Sequence, residues 1–286
     1  MTTAEEYAPA KVNLTLHVTG QRDDGYHLLD SLVVFGGHQD RLIARPSRDL
    51  SLDVSGPFSA GVPGDESNLV LQAAHALRMR HNVPVGAALH LDKYLPHAAG
   101  IGSGSSDAAA ALRLLARLWN VPVPDARDPL ALALGADVPV CLRAPSPTRV
   151  TGIGEGLLDV PRLPSCAMVM VNPNVSVPTG RVFSAMKSRN NPPMPDVPAG
   201  MSFADFIAWL GQQRNDMHPA AEAIAPEITA VLARLRKTPG VEFATMSGSG
   251  ATCVGLVADM DRAVSIARAI QVAEMGWWVA PALLLS

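Results

Sequence analysis

Strict alternation marks the stretch "KVNLTLHV" at residues 11–18. Val12, Leu14, Leu16 and Val18 share one face, and Lys11, Asn13, Thr15 and His17 share the other. A period of two predicts a half-buried strand. "TGQRDDGYH" is rich in turn formers and reads as a loop. "LLDSLVVF" and "DRLIAR" read as two further strands. "ESNLVLQAAHALRMRH" has helical apolar spacing, with Ser67 or Asn68 as its cap. "GAALHLDKYL" predicts a strand, and an alanine-rich helix follows "AAGIGSGSSD". "DPLALALGADVPVCL" reads as a short helix stopped at Gly135, a loop with Asp137, then an apolar strand. "TRVTGIGEGL" closes a first half ordered β-β-α-β-loop-α-α-β, an α+β pattern.

The pattern shifts near residues 158–164. "CAMVMVNP" starts a new strand, and "NNPPMPDVPAG" reads as an exposed loop. Helical spacing covers residues 203–213 and 219–236. "VEFATMSGSGATCVGLV" predicts strand, glycine turn, strand; "DRAVSIARAIQVAE" a helix; "WWVAPALLL" a last strand. We therefore expect two domains, residues 1–160 and 161–286.

Composition narrows the class. Of 286 residues, 48% are apolar and 17% charged, as in a globular protein. The net charge of −3 and scattered arginines speak against nucleic-acid binding. Cys141, Cys166 and Cys253 are odd in number, far apart, and lack metal spacing, so each is expected as a small buried residue in a reducing compartment. "MTTAEEYAPAK" has no apolar core of a signal peptide, and no apolar run is long enough to span a bilayer. A cytoplasmic protein is expected.

The chemistry concentrates in the glycine loop. Gly100, Gly102 and Gly104 alternate with Ile101 and Ser103, then Ser105, Ser106 and Asp107 lead into four alanines. The first turn of a strong helix has free N–H groups and the positive dipole end. Glycines ahead of it let a ligand approach the backbone. That is an anion site, most simply for phosphate. Neither GxxxxGK[ST] nor strict GxGxxG is present. A tight turn capped by Ser106 or Asp107 is the plainer alternative. Likewise Lys11 in "PAKVNL" reads alone as a solvated lysine, Asp137 in "GADVP" as a turn former, and "MSGSGAT" as an ordinary hairpin.

In this order, "PAKVNL", "AAGIGSGSSDAAAAL", "LGADVPV" and "MSGSGATC" resemble the GHMP small-molecule kinases. The resemblance runs from Pro9 to at least Val257, with "RNDMHPAA" fitting between the motifs. "TGQRDDGYHLLDSLV" narrows it to members acting on 4-diphosphocytidyl-2-C-methyl-D-erythritol. It implies an N-terminal ribosomal-protein-S5-domain-2-like fold and a C-terminal ferredoxin-like α/β sandwich, with ATP and Mg²⁺ as cofactors. The implied partner is that small-molecule substrate alone, with no nucleic acid and no membrane, and the implied state is a monomer or weak homodimer.

Residue by residue, the resemblance assigns ATP binding to Asn68, Pro96, Ala98, Ala99, Gly100, Ile101, Gly102, Ser103, Gly104, Ser105 and Ser106. Lys11 and Asp137 are the implied catalytic pair: Asp137 takes the proton of the substrate hydroxyl, and Lys11 holds that carboxylate and favours charge developing near the γ-phosphate. Tyr26 and Phe183 are to sandwich the cytosine, and His27 is to read its polar edge. Alone, His27 reads as a loop histidine and Phe183 as a core aromatic. Asn13, Thr179, Gly248, Ser249 and Gly250 complete the implied substrate contacts. No metal ligand is assigned; Ser106 is a candidate only.

One departure stands out. The family loop has the form G-A-G-L-G-G-G-S-S, whereas Ala98 and Ser103 replace two glycines here. A positive φ at Ser103 would cost about 1 kcal/mol or more; otherwise its hydroxyl joins the cradle. Another GHMP kinase, for homoserine, mevalonate or a sugar, would keep the loop without "DGYH" and a downstream aromatic. A non-catalytic nucleotide binder would lack Lys11 or Asp137.

Overall fold

Strands β1 (Ala4–Asn13), β2 (His17–Gln21), β3 (His27–Ser47) and β4 (Ser51–Ser55) precede helix α1 (Leu69–Arg80) and β5 (Gly86–Asp92). Helices α2 (Ser103–Trp119), α3 (Pro129–Leu134) and α4 (Val138–Leu142) come next, then the hairpin β6 (Thr148–Gly152) and β7 (Gly156–Asp159). β8 (Ala167–Asn172), α5 (Thr179–Ala185), α6 (Phe203–Leu210), α7 (His218–Ile224) and α8 (Glu227–Lys237) follow. β9 (Phe243–Met246), β10 (Cys253–Val257), α9 (Met260–Ala273) and β11 (Trp278–Leu285) complete the chain. This computed structural model describes residues 3–97 and 99–286; Ala98, a candidate ATP contact, lies outside the described residues.

The chain forms two compact units. One takes the N-terminal stretch ending at Ala10, Gln39–His97 and Gly102–Ala144; the other takes Lys11–His38, the short stretch ending at Ile101, and Pro145–Ser286.

In the first unit β4 runs parallel to β5, and β5 pairs antiparallel with the end of β3, from Arg41↔Asp92 to Ser47↔Gly86. α2 packs along α1, with α3 and α4 beside it. Ala108, Ala109, Ala110 and Ala111 are fully buried, and side chains this small let helices approach closely. Asn68 caps α1: its Oδ1 accepts from Val70 N at 2.9 Å and its Nδ2 donates to Pro63 O at 2.7 Å.

In the second unit β11, β8, β10 and β9 form an antiparallel sheet, and β11 reaches the middle of β3 through Leu284↔Gly36. All six residues of β8 are buried: the five of its apolar run, as such a run implies, and Asn172, whose Nδ2 donates to Thr252 Oγ1 at 2.9 Å. Ile228, Val231 and Leu232 of α8 and Ile266 and Ile270 of α9 share its core.

Several expectations are corrected. "KVNLTLHV" is interrupted after Asn13, and its polar side is buried as well: Lys11, Asn13, Thr15 and His17 all lie inside. Period two revealed the alternation but not the cover on both sides. The two strands expected within residues 28–45 are one long strand, β3. "VPVCL" is the helix α4 rather than a strand, since Pro139 is compatible with a first helical turn. Residues 219–236 split at Pro226, whose missing N–H starts α8 afresh. β4 and α5 were not anticipated.

The proline-rich loop is irregular but not simply exposed: Met194 and Val197 are buried. Arg149 on β6 anchors it. Its guanidinium donates to both Asp30 oxygens at 2.8 and 2.7 Å, to Asp196 at 2.7 Å and to Met194 O at 2.5 Å. Replacing Arg149 leaves the buried Asp30 without its cation. Arg149→Leu is expected to lower unfolding free energy by about 3 kcal/mol, read from urea denaturation. A loss below about 0.5 kcal/mol would show that the pair is of the weak surface kind.

Candidate active site

The second unit joins three motifs that are far apart in sequence. Lys11 N donates to Ile101 O at 3.0 Å, tying the first strand to the glycine loop. Asn13 N donates to Ser247 Oγ at 3.0 Å, and Ser247 Oγ donates to Gly100 O at 2.9 Å. Thr252 N donates to Ala99 O at 3.1 Å. The glycine turn at residues 247–252 is therefore pinned on the glycine loop. Gly100 has φ 77°, and a Cβ there would sit 2.6 Å from Ser247 O and 2.7 Å from Gly250 O. Only glycine fits this approach.

Lys11 is buried, and its Nζ donates to Asn13 Oδ1 at 3.0 Å. Asn13 Nδ2 donates to Ser31 Oγ at 2.8 Å, and Ser31 Oγ donates to Thr15 O at 2.5 Å. The chain of bonds fixes which amide atom faces the ammonium. Thr179 and Ser249 share a hydrogen bond at 2.8 Å, while Asn215 Nδ2 donates to Gly248 O at 2.9 Å. Ser247, Ser31 and Asn215 were not among the predicted site residues. Ser247 stands inside "MSGSGAT", but nothing in the pattern distinguishes its hydroxyl from that of Ser249.

His27 stacks on Phe183 with ring centroids 4.1 Å apart and planes 12° from parallel. Tyr26, expected to face Phe183 across a base, is 59% exposed on the β2–β3 turn. The described arrangement thus pairs His27, not Tyr26, with the phenyl ring. Burial, then the nearby Arg189 charge, hold the His27 pKa below its ordinary value, so its ring is neutral at pH 7. Its Nε2 is buried without a hydrogen-bond partner among the described residues. Arg189 donates to Phe183 O at 3.0 Å and Ser184 O at 3.2 Å, fixing the end of α5.

The first unit holds the helix that follows the loop. The N-cap of α2 is Gly102, left-handed at φ 57° and ψ 26°, and neither Ser106 nor Asp107. No side chain caps the helix, and its first turn contains no acid. Its N–H groups therefore suit a phosphate better than a self-capped turn would. Ser103 is the first helical residue and does not take positive φ, so the feared strain is absent. Its Oγ donates to Pro96 O at 3.3 Å, and Ser106 Oγ donates to Pro9 O at 2.7 Å. Both hydroxyls point their protons at the protein; Ser105 is half-buried and Gly104 exposed. Asp137 is the N-cap of α4 and half-buried, with no side-chain bond to that helix.

No group of three or more His, Cys, Asp or Glu among the described residues could hold a metal ion, and no described helix is long and apolar enough to cross a membrane. Cys141, Cys166 and Cys253 are all buried, and burial pushes the Cys166 thiol up to about 12.

Comparison with known proteins agrees with these motifs. The model for the GHMP kinases N terminal domain matches residues 68–144, and that for the GHMP kinases C terminal matches 202–274. A 4-diphosphocytidyl-2-C-methyl-D-erythritol kinase of Cereibacter sphaeroides is 53% identical over 97% of this chain and 98% of its own. One of Paramagnetospirillum magneticum is 48% identical over 100% of both. The crystal structure of 4-(cytidine 5'-diphospho)-2C-methyl-D-erythritol kinase superposes with TM-score 0.79 at 32% identity, covering 99% of each chain. Homoserine kinase from Cytophaga hutchinsonii shares the fold alone, with TM-score 0.69 at 16% identity. The chain belongs to the GHMP kinases and, within them, to the 4-diphosphocytidyl-2-C-methyl-D-erythritol kinase family.

Proposed function

We propose that the chain transfers the γ-phosphoryl group of ATP to the 2-hydroxyl of 4-diphosphocytidyl-2-C-methyl-D-erythritol, a step toward isoprenoid precursors. The observation that carries this is the joining of Lys11, Asn13, Gly100 and Ser247 in one hydrogen-bonded cluster, within a chain about half identical to kinases of that name. Phosphoryl transfer asks mainly for positioning and for stabilisation of charge. Asp137 accepts the hydroxyl proton as the new O–P bond forms and the bond to the β-phosphate oxygen breaks, leaving ADP. Lys11 favours the negative charge that develops at the reacting oxygens. The uncapped start of α2 receives the phosphates. Mg²⁺ arrives with the nucleotide rather than in a protein cage, in keeping with its preference for phosphate and water ligands.

His27, neutral and stacked on Phe183, offers a donor or an acceptor to the base edge. Tyr26 closes on the base from the exposed turn. Asn13, Thr179 and the turn at Gly248, Ser249 and Gly250 hold the phosphate and polyol end. Asn68 borders the adenine, with one of its two amide protons already on Pro63 O. We also retain the domain division at residues 160/161, which falls between the two matched family regions, and a monomeric or weakly dimeric cytoplasmic protein.

The test is ADP release from MgATP with the cytidine compound, homoserine, mevalonate or galactose as acceptor. Turnover on the cytidine compound alone is expected. Turnover on another acceptor would keep the kinase chemistry and reject the base pocket. Tyr26→Ala should raise KM for the cytidine compound about tenfold and leave KM for ATP in place, since base–aromatic stacking is worth about 1–3 kcal/mol. An unchanged substrate KM would reject the stacking role.

A further inference from the structure

Three charged side chains are buried together in the first unit, none of them among the proposed site residues. Lys93, just after β5, is 1% exposed; Asp40 on β3 is 0% and Asp107 on α2 is 3%. Lys93 Nζ donates to Asp40 Oδ2 at 2.5 Å and to Asp107 Oδ2 at 2.7 Å. The other Asp40 oxygen accepts Tyr94 N at 2.6 Å and Leu95 N at 2.8 Å. Asp107 Oδ1 is buried with no hydrogen-bond partner among the described residues.

Such a cluster is poorly explained by stability alone. Apolar side chains of like volume would hold a core equally well or better, without desolvating charge. An orphaned carboxylate oxygen adds a further cost. What the cluster supplies is geometry. Asp40 fixes the backbone of residues 94–95, Lys93 links that segment to Asp107, and Ser103 Oγ adds a second link to Pro96 O. Both tied elements, the segment through Pro96 and the first turns of α2, carry proposed ATP contacts.

We propose that Asp40, Lys93 and Asp107 form a positioning bridge for the nucleotide: Lys93 clamps the first turns of α2 to residues 93–96 and thereby sets the N–H groups that receive the phosphates. This rests on the ATP-kinase reading above. The bridge also carries a proton. Burial first, with Asp40 adding and Lys93 opposing, raises the Asp107 pKa to about 7. With that proton in place the bridge holds one ammonium, one carboxylate and one neutral acid. Without it a net negative charge lies beneath the phosphate-facing turn. Nucleotide binding therefore weakens as pH rises through about 7. Of the helices packed on α2, α3 carries no titratable side chain, and α4 carries Cys141. On α1, His75, Arg78 and Arg80 are engaged by Glu66, Val83 O and Asp128. Lys93 and Asp40 are thus the charges that act on Asp107.

The experiment measures MgADP affinity from pH 5.5 to 8.5 for the wild type and Asp107→Asn, with Asp107→Leu and Lys93→Met at pH 7 and thermal melts for all four. Asparagine can accept from Lys93 and donate to Asp40, as protonated Asp107 would. Affinity of the wild type should fall about tenfold more from pH 6 to pH 8 than that of Asp107→Asn, a comparison that cancels the nucleotide's own titration. Asp107→Leu and Lys93→Met should weaken MgADP about tenfold while KM for the acceptor shifts less than about twofold. Identical pH profiles for wild type and Asp107→Asn, or full affinity in a well-folded Asp107→Leu, would overturn the bridge. A wild type that binds no MgADP at any pH would instead overturn the kinase reading, and the bridge with it.

Discussion

Asp137→Ala is expected to lower kcat about 10²–10⁴-fold, the usual contribution of a positioned general base, while Kd for ATP moves less than about twofold. Helix α4 is expected to survive this substitution. Asp137 caps α4 by backbone position only: its carbonyl accepts Cys141 N at 3.1 Å, while its side chain makes no capping bond. Removing the carboxylate therefore takes little from the helix, which Pro139 and the buried Val138 and Val140 also support. The first turn of α2, proposed to receive the phosphates, is built from other residues. Single-turnover ADP formation with both substrates saturating isolates the chemical step. A kcat within about threefold of wild type would remove Asp137 from the role of base.

Lys11→Met should cost kcat about 10²–10³-fold, comparable with deleting one donor aimed at developing charge. The methionine keeps the length of the buried stem and loses the ammonium on Asn13 Oδ1. Asn13 still holds Ser31 and Ser247, so the cluster keeps its shape. Lys11→Arg should rescue poorly, because a planar fork does not fit a site shaped for a point charge. A variant that raised KM for ATP with kcat intact would recast Lys11 as a ground-state binding residue. The two variants separate electrostatic help from proton removal: Lys11→Met should remain sensitive to substitution at Asp137, and a double variant no slower than either single would show that the pair acts as one unit.

Local patterns were legible where one residue's neighbours in sequence are also its physical partners. The cap at Asn68, the alanine helix after the glycine loop, the stop at Gly135 and the strand–turn–strand around residues 247–252 all follow from propensity, capping and turn chemistry acting within a few residues. The four motifs, in their order, carried the family assignment that the comparisons bear out. Failures came where distant chain segments supplied the deciding contact. The polar side of "KVNLTLHV" looks solvent-facing until Ser31, Ser247 and Met194 arrive to cover it. "VPVCL" is equally apolar as strand or helix, and short apolar runs carry no period that separates the two.

The same division applies to the site. Glycine spacing ahead of a strong helix was enough to raise an anion site beside a plain capped turn, since free N–H groups and backbone freedom are properties of the local chain. Where its serines point was not legible: Ser103 and Ser106 turn their protons to Pro96 and Pro9, partners no spacing rule could nominate. His27 and Phe183 stand 156 residues apart, and only folding makes them one stacked pair. Lys93 and Asp40 carry no signal in the sequence, and Asp107 reads there as a cap candidate, because charge is read there without knowledge of cover. The longer periodic elements and the family were determined by the sequence itself. Burial of the polar face, the meeting of the two glycine turns and the enclosed charge bridge were decided by tertiary structure, because desolvation and long-range hydrogen bonding depend on which remote segments close over a residue.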